Sequence, residues 1–332
     1  MNKKMTVSYY DNISLIEDID HIIAIENNYF LLVERKNKKI IIYSPNDYFI
    51  FDNFDNEYIW YVKKLNNNDI FIYFEKKFSI IKIDFENKSY DNLIIYEMKN
   101  SIDLPNLSEF YNEQKLLLLG TNNILIFEYK KQLNNNYIIN LETIINNENL
   151  NYYNHIYRYS YHPKNDKKEF LIIAEKEILF YNSITYQIND TIIQLNNYLL
   201  ENDTNVIEWK DNCIFICDRI CFYILDTNNH QIIYKCSSSS TTYYYFESIQ
   251  LLKYNLMICG IIIRGCFNYD FEIMIFPLNT LYQYFNSWNI LYCEIIKGGL
   301  VNLVVSEKKD YFGVIYGKDS QFKCKFGKIN YN

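Results

Sequence analysis

Residues 156–182, IYRYSYHPKNDKKEFLIIAEKEILFYN, show the pattern that organises the chain. A first strand runs to a turn around His162-Pro163. A continuous apolar run, Phe170–Ala174, then passes through a tight hairpin into a third strand ending at Tyr181-Asn182. Equivalent third-strand ends fall at Tyr43-Ser44, Ile83-Asp84, Phe127-Glu128, Leu225-Asp226, Phe276-Pro277 and Phe326-Gly327. The intervals between them run from about 40 to about 54 residues, the period of a four-stranded blade rather than of a helical repeat.

Each third strand follows an apolar second strand across a short turn. The pairs are Tyr29–Glu34 with Lys39–Ser44, Asp69–Glu75 with Phe78–Phe85, Lys115–Thr121 with Ile124–Lys130, and Glu169–Ala174 with Glu177–Asn182. They continue as Asn212–Asp218 with Ile220–Asp226, Leu256–Arg264 with Phe271–Pro277, and Tyr311–Gly317 with Gln321–Phe326. A sheet with one wet face alternates apolar and polar residues. Here Ile70–Phe74, Leu116–Leu119, Phe170–Ala174 and Ile214–Ile216 are unbroken apolar runs. In hairpin-connected strands, that means both faces are covered, as when blades pack face to face. The β-branched and aromatic content favours strand over buried helix.

First strands are expected at Ile22–Glu26, Tyr58–Leu65, Leu107–Tyr111, Ile156–Tyr161, Val206–Lys210, Glu247–Lys253 and Leu300–Ser306. More polar outer strands are expected at Tyr48–Phe51, Leu93–Glu97, Tyr137–Thr143, Asp190–Leu195, Gln231–Lys235, and either Tyr282–Ser287 or Ile290–Ile296. The seventh unit ends without an outer strand, and Met5–Tyr10 is left over at the other terminus. The expected fold is therefore all-β, a single seven-bladed β-propeller domain over 1–332 with four-stranded antiparallel blades. Its blades are approximately 19–51, 58–97, 107–143, 156–195, 206–235, 247–296, and 300–332 plus 5–10. The N-terminal strand closes the ring and removes the exposed edges an open sheet would leave.

The unit 156–182 resembles a WD40 repeat. Ile156, Tyr159, Tyr161 and Pro163 take the positions of that family's Val-x-x-Val-x-Phe-x-Pro, and Tyr181-Asn182 stands where Trp-Asp would be. Asp84 and Asp226 keep the family's Asp after an aliphatic residue, and His21 and His155 lie near the place of its Gly-His. No Trp-Asp or Gly-His pair occurs in the chain. The resemblance implies a non-enzymatic protein–protein interaction scaffold, a subunit or adaptor in a larger complex, with other proteins as partners.

Composition narrows the functional classes. Hydrophobic residues are 49% of the 332 and aromatics 18%, enough for a large core, which excludes a disordered chain. A net charge of −7 argues against a broad nucleic-acid-binding face, which needs clustered Lys and Arg. Gly (8), Pro (4) and Ala are scarce while Ile, Asn, Lys and Tyr are abundant, which reads as an AT-rich genome composition. Turns are then expected to use Asn or Asp where Gly is usual. The N-terminus has no apolar signal region, and the longest apolar run, Leu256–Ile263, is far below the ~18 residues of a membrane span. An intracellular location with reduced cysteines is expected.

No catalytic, metal or cofactor constellation emerges. Cys213, Cys217 and Cys221 are spaced C-x3-C-x3-C, which matches no zinc motif and has no fourth ligand nearby, so they read as buried thiols of a hairpin. None of the four histidines lies in an H-E-x-x-H or similar arrangement. Neither a Walker A sequence nor a nucleophile elbow is present. Ile263-Arg264-Gly265 resembles the Phe-Arg-Arg-Gly motif of phosphoinositide-binding propellers (the PROPPIN family) with one Arg missing. The alternative function is therefore a membrane-surface adaptor. The candidate interaction residues lie on inter-blade loops 145–155, 196–205 and 236–245 and beside them: Tyr152, Tyr153, His155, Tyr198, Tyr243, Tyr244 and Arg264. Tyr on such loops offers a large amphipathic area at low entropic cost.

Overall fold

A computed structural model describes residues 5–10, 18–52, 57–65, 67–99, 106–110, 115–120, 123–131, 137–146, 157–161, 163, 168–174, 177–195, 205–210, 212–217, 221–237, 244–263, 270–278, 290–318 and 321–331. These form twenty-eight strands in seven four-stranded antiparallel sheets. Strand β1 (Thr6–Tyr10) precedes sheet I, which contains β2 (His21–Ala24), β3 (Phe30–Glu34), β4 (Lys39–Ser44) and β5 (Asp47–Phe51). Sheet II is β6 (Tyr61–Lys64), β7 (Ile70–Tyr73), β8 (Lys77–Asp84) and β9 (Ser89–Glu97). Sheet III is β10 (Asn106–Phe110), β11 (Lys115–Leu119), β12 (Asn123–Lys131) and β13 (Tyr137–Asn146). Sheet IV is β14 (Tyr157–Tyr161), β15 (Glu169–Ala174), β16 (Glu177–Asn182) and β17 (Ile188–Gln194). Sheet V is β18 (Asn205–Lys210), β19 (Cys213–Cys217), β20 (Cys221–Asp226) and β21 (Gln231–Ser237). Sheet VI is β22 (Tyr244–Leu251), β23 (Leu256–Ile263), β24 (Phe271–Pro277) and β25 (Tyr292–Ile296). Sheet VII is β26 (Gly299–Val305), β27 (Tyr311–Lys318) and β28 (Gln321–Asn330), completed by β1 in the order β1-β28-β27-β26. The architecture is the expected all-β, seven-bladed propeller.

The expected strands appear within a few residues of their boundaries. For the open outer strand of sheet VI the structure selects β25, inside the 290–296 alternative; residues 282–287 lie outside the described residues. The N-terminal strand takes the place expected for it. Thr6 pairs with Asn330 and Tyr10 with Phe326, so the first and last strands lie side by side.

The chain divides into two compact units, residues 1–58 with 237–332, and residues 59–236. In the second unit the continuous apolar strands feed two layers at once. Leu116 and Leu118 of β11 pack with Phe71, Phe78 and Ile80 of sheet II. Leu117 and Leu119 on its other face pack with Phe170, Ile172 and Tyr181 of sheet IV. Leu171 and Ile173 then meet Ile214, Ile216 and Tyr223 of sheet V. A period of two on a strand buried on both sides leaves no position for a polar residue, which is why these runs lack alternation.

In the first unit, β27 and β28 meet at two successive Phe–Gly pairs, Phe312 opposite Gly327 and Gly313 opposite Phe326. A Cβ on Gly327 would come within 2.4 Å of the Phe312 ring. Glycine there lets the ring lie on the backbone of the facing strand, the aromatic cover that rescues a strand glycine.

Candidate interaction surface

The turns joining third to fourth strands in sheets II, IV and V share one construction. Asp84 Oδ1 accepts the backbone N–H groups of Glu86 and Asn87, both at 3.0 Å. Asn182 Oδ1 accepts those of Ile184 (2.8 Å) and Thr185 (3.0 Å), and Asp226 Oδ1 those of Asn228 (2.8 Å) and Asn229 (3.3 Å). An Asx side chain that binds the backbone two and three residues on satisfies donors the turn would otherwise leave bare. The Asp or Asn ending the third strand is thus a turn-former. Hydrogen bonds from Asn87, assisted by Glu86 and Lys82, hold the Asp84 carboxyl below its usual range.

Each of these turns contains, at or next to its end, a left-handed residue that is not glycine: Lys88 (φ 51°), Tyr186 (φ 57°) and His230 (φ 53°). Among the described residues twelve non-glycine residues have positive φ, and six of them are Asn or Asp. The expected use of Asn and Asp is therefore half the account; Lys, Tyr and His fill the remainder.

Two of these left-handed residues reach the neighbouring sheet. Tyr186 Oη accepts a 2.6 Å hydrogen bond from Lys115 Nζ, which also lies 3.2 Å from the Glu142 carboxylate. His230 Nε2 lies 2.8 Å from Glu169 Oε2, while Asn189 donates to Glu169 Oε1 at 2.8 Å. Lys115 and Glu169 are the first residues of β11 and β15, equivalent places in adjacent blades. The tie therefore recurs with its chemistry changed. Burial alone would lower the Lys115 pKa, but its bonds to Tyr186 and Glu142 hold it raised.

In the first unit, Lys253 pairs with Asp310, and Tyr254 meets Tyr331 edge-on at 5.4 Å. A second cluster involves the N-terminal strand. Tyr9 Oη lies 3.3 Å from Tyr292 Oη, Tyr292 donates to Glu294, and Lys325 Nζ lies 2.8 Å from Glu294 Oε1 and 3.6 Å from the Tyr9 ring centroid. Burial would raise the Glu294 pKa, but hydrogen bonds from Lys325, Tyr292 and Tyr9 hold it below the usual range. Burial, reinforced by hydrogen bonding to Glu294, pushes Tyr9 far up and Tyr292 to about 12. Burial also raises Tyr43 and Tyr331 to about 12.

These phenols keep their protons when folded, whereas unfolded tyrosines ionise near pH ~10. Their stabilisation is complete below that value and is lost as pH rises from there through about 12. An alkaline titration followed by tyrosinate absorbance should rise in two steps, the second coinciding with loss of the folded circular dichroism. A single step with the fold intact would contradict this assignment.

Tyr152, Tyr153, His155, Tyr198, Tyr243 and Arg264 lie outside the described residues; Tyr244 begins β22 opposite Ile263, with its side chain undescribed. Cys213 and Cys217 occupy the two ends of β19, and Cys221 opens the next strand, as the hairpin reading expects. Among the described residues no group of three His, Cys, Asp or Glu side chains could hold a metal, and no helix is long and apolar enough to cross a membrane. The inter-sheet ties went unread in the sequence because their partners lie 61 and 71 residues apart.

No protein-family model matches the sequence, and no curated protein matches it. Solved structures do. U3-55K superposes with a TM-score of 0.62 at 7% identity, over 96% of this chain and 98% of that one. Sqt1 of Saccharomyces cerevisiae gives 0.59 at 10% identity, over 95% and 84%. The WD40 domain of SCAP from fission yeast gives 0.54 at 10% identity, over 94% and 82%. Identities this low speak for the fold alone, and that fold is a WD40-like seven-bladed β-propeller.

Proposed function

We propose that the chain is a single propeller domain acting as a non-enzymatic protein-interaction scaffold, an adaptor or subunit of a larger assembly. The observation that carries this reading is an asymmetry of connections in the second unit. At one end of sheets II, IV and V, third and fourth strands are joined by short Asx-braced turns, 85–88, 183–187 and 227–230. At the other end the connections from fourth strands to the next sheet are long: 98–105, 147–156 and 195–204. Long connections on a rigid frame are where binding residues concentrate. Those at 147–156 and 195–204 contain Tyr152, Tyr153, His155 and Tyr198. Aromatic anchors there would carry most of the binding energy.

The test is affinity purification from the native cell with the wild type and with a chain carrying Tyr152→Ala, Tyr153→Ala and Tyr198→Ala. A stoichiometric partner of the wild type that the variant loses is the expected result. No stoichiometric partner, or one retained undiminished by the folded variant, would overturn it.

A further inference from the structure

The outer edge of sheet III differs from the other outer strands. β13 ends the order β10-β11-β12-β13, so one of its edges has no strand beside it in that sheet. With ten residues it is the longest outer strand, and Glu142 is its single charge. That charge is already held by Lys115 of its own sheet. Ile138, Leu141 and Ile144 are 46%, 39% and 47% exposed. Outer strands elsewhere are shorter and carry a charge, as at Asp91 and Glu97 of β9, Asp190 of β17 and Lys235 of β21, or are only five residues long, as β1 is. Shortness and charge are the usual devices that keep an edge from pairing. β13 has neither.

Its sequence, YIINLETIIN, carries an Ile-Ile pair at the same distance from each end. A two-fold between Leu141 and Glu142 sets those two against each other, Asn140 against Thr143, Ile139 against Ile144, and Ile138 against Ile145. Facing side chains must also point to the same side of the sheet. In an unbroken strand Ile138 and Ile145 would point to opposite sides, because they are an odd number of residues apart.

The register between β12 and β13 slips at this point. Ile126 pairs with Thr143 but Phe127 pairs with Leu141, so Glu142 is the extra residue of a bulge. Ile139 and Ile144 therefore stand opposite Tyr129 and Leu125, both members of the layer facing sheet II. Ile138 and Ile145 take the other side, where Ile145 packs against the layer facing sheet IV. The bulge makes every apolar pair of the two-fold coincide in face as well as in register.

We infer that β13 pairs antiparallel with β13 of a second copy of this chain, joining two sheets III into one eight-stranded sheet about a two-fold axis. Such an isologous contact closes on itself and does not propagate into fibres. One strand pair sits at the low end of interface sizes, below about 1,200 Å² in total. The dimer should therefore dissociate on dilution through concentrations on the order of micromolar.

Sedimentation equilibrium of the whole chain should show the mean mass rising about twofold with concentration. Amides of 138–145 should exchange more slowly at high concentration. Ile144→Lys and Ile138→Lys, each at an exposed position, should stay monomeric with unchanged circular dichroism. Adding Ile145→Glu to Ile138→Lys should restore the dimer, because the two-fold places those positions opposite each other.

A wild type that remains monomeric at every concentration would overturn the inference and leave this edge to an extended segment of another protein. A dimer that survives both lysine variants, or that the added glutamate fails to restore, would overturn it equally. Either result would leave the scaffold reading standing, since that reading rests on the loops at 147–156 and 195–204.

Discussion

Leu118→Ala should lower the unfolding free energy by about 2–5 kcal/mol, with a fall in Tm of roughly 5–15 °C by differential scanning calorimetry. Leu118 is fully buried and packs among Phe71, Phe78, Leu116 and Phe127. Its neighbours belong to two β-sheets whose backbones are fixed by hydrogen bonding, so the space left by truncation cannot easily close. Leu118→Met, which nearly conserves volume, should cost less than about 1.5 kcal/mol. Equal losses for the two variants would show that the layer between sheets II and III tolerates voids and is not close-packed.

Replacing Met5–Tyr10 with a Gly-Ser sequence should cost roughly 3–6 kcal/mol and lower Tm by about 10 °C. The replacement removes the partner of β28 over a register of five residue pairs. It removes Met5, Val7 and Tyr9 from the core shared with Phe312, Val314 and Ile329. It also takes Tyr9 away from Tyr292 and Lys325, leaving the Glu294 network one hydroxyl short. The Gly-Ser chain is polar and flexible and gives up more entropy on ordering. An unchanged Tm would mean that β1 contributes nothing to holding the last sheet.

The strands were legible because their cause is local. A run such as Leu116–Leu119 announces burial on both faces, and Asp84, Asn182 and Asp226 mark the ends of third strands by spacing. The bulges were not legible. In first strands the register slips between Tyr157 and Tyr159, Glu208 and Lys210, Phe246 and Ser248, and Leu300 and Asn302. Nothing in the alternation of YRYSY or NVIEWK separates a bulged residue from a paired one.

Candidate sites were harder still. The Tyr9–Tyr292 contact joins residues 283 apart, and in a chain with 34 tyrosines no single one stands out by type. The exposed edge of β13 was foreseen as an outer strand, Tyr137–Thr143, but three residues too short. The truncation hid the second Ile-Ile pair, Ile144 and Ile145, which mirrors Ile138 and Ile139.

The left-handed turn residues bear on how the molecule comes apart. A glycine at the end of a hairpin turn would end the turn without a side chain, leaving the apolar layers alone to couple one sheet to the next. Tyr186 and His230 instead extend from the turns of sheets IV and V onto the first residue of the second strand in sheets III and IV. Detaching any one of the three strips a partner from the next, so the damage spreads along the row. Sheets III to V should therefore melt together as one cooperative block, and slow amide exchange within them should report a single opening event shared by all three.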